Sequence, residues 1–162
     1  MQSLTAQRIQ QRRAELLACF EAIQGERMAD VPLLNMHLCI EAVGFRHWNG
    51  FALGVLITPW LMNLMALPLL NRTVAHERRC WVFPSGEYRF EYADIDGLGG
   101  CYTCSLFSPM QEFAGQAAAR ATAEAVMQAL FANEQDGPQP LTNNIAQKPL
   151  NRRQFLRGRI GT

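Results

Sequence analysis

A chain of 162 residues with 49% hydrophobic and 18% charged residues has the length and apolar content for one domain with its own core, which excludes the disordered and fibrous classes. Five cysteines, odd in number and irregular in spacing, argue against a disulfide framework and for a reducing compartment, of which the cytoplasm is the simplest. The formal charge of +1 hides an asymmetry: Lys148, Arg152, Arg153, Arg157 and Arg159 make the last fifteen residues +5, while the rest is −4 without a basic stripe, so nucleic acid is not an expected partner.

The opening MQSLTAQRIQQRR has no apolar h-region, so no secretory signal is expected. Over residues 5–24, Ile9, Leu16, Phe20 and Ile23 recur at helical spacing with Leu17 beside them, Thr5 or Ser3 as cap and Gly25 as stop. Segments near 37–45 and 51–57 flank His47-Trp48-Asn49-Gly50, and Asn-Gly between apolar runs predicts a hairpin.

Phe51 to Leu70 then runs for twenty residues without a charge, close to the length of a membrane span. Gly54, Pro59, Asn63 and Pro68 interrupt it, so stable membrane insertion is not expected. Thr58-Pro59 reads as an N-cap followed by proline at the first helical position, which predicts a short central helix through Ala66, stopped by Pro68. Trp60, Leu61, Met62, Leu64 and Met65 make that helix apolar nearly all round. Plain core is one reading. The other uses Trp60, Met62 and Met65 as an adaptable groove wall, with Asn63 too costly to bury unpaired.

Strands are predicted at 77–83, ending in the turn Pro84-Ser85-Gly86, at 87–94 and at 101–107. In 87–94, Tyr88, Phe90 and Tyr92 alternate with Arg89 and Glu91, as a half-buried antiparallel strand requires. Residues 109–131 read as an alanine-rich helix. After Asn133, proline and polar residues without periodicity predict a mobile basic tail over 133–162 behind a single domain at 1–132. The expected fold is α+β: an antiparallel sheet of about five strands in hairpins, with N-terminal, short central and C-terminal helices.

Little in the chain asks for catalysis. Cys101-Tyr102-Thr103-Cys104 is a CxxC, but in a strand residues three apart point to opposite faces, which separates the two sulfurs. Cys19, Cys39 and Cys80 stand singly, and His37, His47 and His76 have no ligand spacing, so neither a metal nor a cofactor is expected. Asp94 and Asp96 before a glycine turn read as a solvated turn. No dinucleotide fingerprint, phosphate loop or nucleophile elbow is present, and an enzyme is not expected.

Four strings, in order, carry a resemblance: Leu53-Gly54-Val55-Leu56-Ile57-Thr58-Pro59-Trp60-Leu61-Met62-Asn63-Leu64, Phe83-Pro84-Ser85-Gly86, Cys104-Ser105-Leu106-Phe107-Ser108-Pro109-Met110 and the alanine-rich segment after them. Together they resemble the HybE/HupJ family of nickel-iron hydrogenase assembly chaperones over roughly residues 15–132. The resemblance implies a chaperone without catalytic residues. Its implied client is the hydrogenase small-subunit precursor with its twin-arginine signal, with the large subunit and other hydrogenase accessory proteins as further partners. On this reading the contact residues are Thr58, Pro59, Trp60, Met62, Asn63 and Met65, with Glu87, Glu91, Asp94 and Asp96 to meet the signal's arginines. The tail string Arg152-Arg153-Gln154-Phe155-Leu156-Arg157 resembles a twin-arginine motif and is expected to compete with the client signal. The alternative is a metal- or redox-active maturation protein working through Cys101 and Cys104.

Overall fold

The computed structural model describes residues 2–26, 34–70 and 74–132. A long helix, α1 (Gln2–Glu26), precedes six strands, β1 (Glu41–Trp48), β2 (Phe51–Ile57), β3 (Met62–Pro68), β4 (Arg79–Phe83), β5 (Gly86–Ile95) and β6 (Gly99–Phe107), and α2 (Gln116–Phe131) follows. The strands form one sheet in the order β1-β2-β3-β6-β5-β4, and every neighbouring pair is antiparallel. The architecture is α+β, as expected, with six strands rather than about five.

The twenty-residue apolar stretch is the centre of this sheet. β2 is buried at every position, and β3 at every position but Asn63, because helices cover both faces. Phe51, Leu53, Val55 and Ile57 face α2, where Ala119, Ala123, Val126 and Leu130 pack on them, while Ala52, Leu56, Met65 and Leu67 face Leu16 and Phe20 of α1. Strands buried on both faces read as continuous hydrophobic runs, and that is how a strand hairpin comes to resemble a span. Among the described residues no helix is long and apolar enough to cross a membrane.

The central helix predicted at 58–66 is therefore not formed; Thr58–Leu61 is a turn and Met62–Pro68 a strand. The capping chemistry was located correctly and serves a different purpose. Thr58 Oγ accepts the N–H groups of Trp60 (3.1 Å) and Leu61 (2.9 Å), as an N-cap would, and donates to the Leu61 carbonyl. Instead of propagating, the chain reverses, and Met62 pairs with both Ile57 and Phe107. A strand placed between two others satisfies its backbone as fully as a helix would and also buries both faces.

Smaller shifts have local causes. The first strand begins at Glu41, not near 37, because residues 34–38 are held as a turn around Asn35. The last helix begins at Gln116 rather than 109; the Met110 carbonyl is shared by the Asn35 side chain and the Phe113 N–H, and the Phe113 carbonyl goes to the Asn35 side chain instead of to a helix. The predicted Asn49-Gly50 turn is present, with φ of 51° and 83° at the two residues, the pairing expected of a two-residue hairpin.

The sheet curls until its two edges meet. Trp48 at the end of β1 lies 5.0 Å from Trp81 and 4.4 Å from Phe83, both on β4 at the opposite edge. α2 lies in the hollow so formed. Glu41 accepts from Arg120 (2.7 Å) and Gln116 (2.7 Å) at one end of the helix, and Ser85 donates to the Leu130 carbonyl at the other. The Arg120 bond holds the Glu41 carboxyl below its usual range. On the opposite face Gly54 has no substitute: a Cβ there would collide with the ring of Phe45 from β1, which lies across the strand.

Candidate functional site

Three connections converge at one end of the sheet: residues 34–40 before β1, the Thr58–Leu61 turn, and residues 108–115 before α2. Asn35 joins them. Its side-chain nitrogen donates to the carbonyls of Met110 (2.9 Å) and Phe113 (2.8 Å), and its side-chain oxygen accepts the His37 N–H (3.0 Å). Its own N–H donates to the Pro59 carbonyl (2.9 Å), and its carbonyl accepts from Leu38 (3.1 Å). Every polar group of a buried asparagine is thus used. The strings ITPW and SPM, far apart in sequence, are fastened to each other through this residue, and the direct pairing of Met62 with Phe107 adds a second link.

The expected contact residues do not form one wall. Thr58 and Pro59 are buried within the turn, and Trp60 is half-buried, its ring 6.2 Å from Phe20 of α1. Met62 and Met65 are both fully buried, on opposite faces of β3, so they support the turn from below and do not line a groove. Asn63 is half-buried in register with Leu56 on one side and Ser105 on the other. Among the described residues, the apolar side chain that does stand in solvent here is Met36, at 80% exposed, and it borders a cavity of about 530 Å³ with His37 and Phe113.

The four acids lie on β5 and the turn after it, separated from β3 by β6. Glu87 and Glu91 project from the same face of β5, and Glu91 pairs with Arg78 at 2.9 Å. Asp94 falls on the other face by alternation, and Asp96 is exposed in the turn. The tail residues Arg152, Arg153, Phe155, Leu156 and Arg157 lie outside the described residues.

The CxxC is divided between the two layers of core: Cys101 packs with Leu98 and Met65 towards α1, and Cys104 with Leu64 and Leu106 towards α2. Burial pushes both thiols up to about 12. Neither is a nucleophile at neutral pH, and their separation removes the geometric basis of a redox pair. Among the described residues no group of three or more His, Cys, Asp or Glu could hold a metal ion. With iodoacetamide at pH 8, the exposed Cys39 and Cys80 should be alkylated while Cys101 and Cys104 react only in denaturant. Peptide mass mapping checks this, and native labelling of Cys101 and Cys104 at the rate of Cys39 would restore the redox alternative.

The model of the family described as [NiFe]-hydrogenase assembly, chaperone, HybE matches residues 11–158. The chain belongs to that family. It is 40% identical over 139 residues to the hydrogenase expression/formation protein HupJ of Bradyrhizobium diazoefficiens, covering 84% of this chain and 82% of that one. It is 38% identical over 150 residues to the hydrogenase expression/formation protein HoxT of Azotobacter vinelandii, covering 91% and 95%. The solution structure of HybE from Escherichia coli superposes with a TM-score of 0.60 over 79% of this chain and 83% of the other, at 22% identity, and so shares its fold. The four strings that carry the resemblance lie along β2 and β3, at the β4–β5 turn, from the end of β6 onward and in α2. Asn35 was missed by sequence reasoning; its only signal was a polar residue set between Leu34 and Met36 in an apolar run.

Proposed function

We propose that this HybE-family chaperone binds the small-subunit precursor of a nickel-iron hydrogenase in the cytoplasm, holding its twin-arginine signal until assembly is complete, and that the large subunit is a second client. A role in hydrogenase maturation follows from the family itself. What supports an adaptable protein-binding end is the way the three connections are built. Asn35 holds them rigidly, while Met36 and Trp60 remain open to a partner. A methionine and a tryptophan on a fixed frame give contact area to varied apolar sequences with little ordering cost.

In this reading Thr58 and Pro59 shape the turn, Met62 and Met65 anchor it, and the half-buried Asn63 lies just after it on β3. Glu87 and Glu91 on one face of β5, with Asp94 on the other face and Asp96 in the turn after it, offer separate carboxylates to the signal's arginines. The tail residues Arg152, Arg153, Phe155, Leu156 and Arg157 compete for the client's place. The experiment is fluorescence anisotropy with a dye-labelled twin-arginine signal peptide. Trp60→Ser should weaken binding by roughly ten-fold or more with the thermal midpoint near that of the wild type. Deleting residues 148–162 should tighten it, and Phe155→Ala with all charges kept should reproduce the gain. A salt series separates this from the general field of the tail. Unchanged affinity in Trp60→Ser rejects the proposed contact; loss of affinity on tail deletion makes the tail a docking arm instead.

A further inference from the structure

At the end of the sheet opposite the Thr58–Leu61 turn lies a second cavity, of about 550 Å³, to which the chaperone reading assigns no role. Its floor is aromatic. Phe51, Trp81 and Tyr102 come from β2, β4 and β6, and their ring centres are 5.1 Å (Phe51–Trp81), 5.1 Å (Trp81–Tyr102) and 6.0 Å (Phe51–Tyr102) apart. Phe51 and Tyr102 are buried in the core beneath, whereas Trp81 is half-exposed and shows part of its ring to the cavity. The Asn49–Gly50 turn forms one wall, and Leu70, 71% exposed, forms a lip.

Among the described residues, the charged side chain in this lining is Arg79. Its guanidinium is oriented from behind: Tyr102 donates its hydroxyl proton to the Ala75 carbonyl at 2.9 Å, which turns an oxygen lone pair towards Arg79 Nε at 3.5 Å. On the outer side Arg79 Nη2 is 3.5 Å from Glu77, and both side chains are largely solvated, at 43% and 66% exposure. Such a loose, exposed pair contributes little and can be replaced by a better carboxylate. A planar fork that meets only a distant Tyr102 oxygen at Nε and a loosely placed Glu77 carboxylate at Nη2 suits two-point recognition of a carboxylate.

Arg79 and Trp81 are two residues apart on β4 and share a face, which sets their Cα atoms roughly 7 Å apart, and both line the same cavity. A ligand using both must carry an apolar group and a carboxylate within one residue's reach. A chain-terminal apolar amino acid does so, since both groups spring from one Cα. We propose that this cavity binds the C-terminus of a partner polypeptide, with the last apolar side chain between the Trp81 ring and Leu70 and the α-carboxylate on Arg79. The site is separate from the proposed client contact at Trp60, and neither depends on the other.

The test is titration of the full-length, 15N-labelled protein with the tripeptide acetyl-Gly-Gly-Leu, as free acid and as carboxamide, following the Gly50 amide and the Trp81 indole signals. The acid should shift both, and the carboxamide should bind about ten-fold more weakly or worse, the loss expected for a charge-assisted hydrogen bond. Arg79→Gln, at a solvated position that leaves the core intact, should abolish the preference for the acid. Glu77→Gln should tighten binding of the acid and leave the carboxamide unchanged. An acetyl-Leu-Asp-carboxamide arm separates chain ends from acidic side chains: binding as tight as that of the free-acid tripeptide overturns the chain-end proposal. Equal binding of acid and carboxamide, or weaker binding of the acid to Glu77→Gln, overturns it as well.

Discussion

Met62→Ala and Met65→Ala should each lower folding stability by about 2–5 kcal/mol, the range for truncating a long buried side chain and leaving its cavity. Both residues are 0% exposed, but Met62 packs in the core beneath α2 and Met65 in the core beneath α1. Because the sheet lies between them, the double variant should lose the sum of the two single losses to within about 0.5 kcal/mol. Urea denaturation of the four proteins measures this, through midpoints at constant slope. On a helix, residues three apart are neighbours on one face and would couple through a shared cavity. A coupling well above 1 kcal/mol would contradict the strand. Signal-peptide binding by the folded fraction should survive in both single variants, because neither methionine reaches the surface. That outcome separates these supports from Trp60, where binding and not folding should suffer.

The second large effect is expected at Asn35. Asn35→Ala removes the donors to the Met110 and Phe113 carbonyls and the acceptor of the His37 N–H, so the buried Phe113 carbonyl loses its partner, while the Met110 carbonyl keeps the Phe113 N–H. With about 1–3 kcal/mol for a buried group left unsatisfied and about 0.5–1.5 kcal/mol for each of the other two bonds lost, the loss should reach roughly 3 kcal/mol, or a fall of about 6–12 °C in Tm for a chain of this size. Asn35→Asp is the more telling variant. It keeps the size and the acceptor for His37, but sets a carboxylate against two carbonyl oxygens in a buried place, and should be less stable than Asn35→Ala at neutral pH. Lowering the pH should narrow that difference, as the carboxyl takes up a proton and regains one donor. If Asn35→Asp melts with the wild type, the side chain does not hold these carbonyls. The same variants should weaken signal-peptide binding beyond their effect on Tm, since the frame for Met36 and Trp60 would be loosened.

How far the chain could be read in advance differed from element to element. Alternation in Tyr88, Phe90 and Tyr92 placed β5 and its inner face, because one side of that strand meets solvent. The spacing of Ile9, Leu16 and Phe20 placed α1 and its buried stripe for the same reason. Asn49-Gly50 placed its hairpin through backbone conformation alone. The cysteine pair was read correctly as two separate residues, since strand geometry is local. Where both faces are covered, no period survives. The run from Met62 to Pro68 carried the cap and proline of a helix start, and nothing within it recorded that β2 and β6 would flank it.

Sequence alone therefore determined the class of the fold, the elements with one wet face, the tight turns and, through four short strings, the family. Those depend on residues close in the chain, or on patterns that solvent imposes. Tertiary structure alone decided that Thr58 caps a turn and not a helix, that Met62 and Met65 face apart, and that Asn35 joins three connections across 78 residues of sequence at its longest bond. It also brought Trp48 to Trp81 and set Arg79 over an aromatic floor drawn from three strands. The physical reason is common to all of these. Burial and hydrogen-bond satisfaction are settled by whichever partners the folded chain brings alongside, and a residue's neighbours in sequence do not name them.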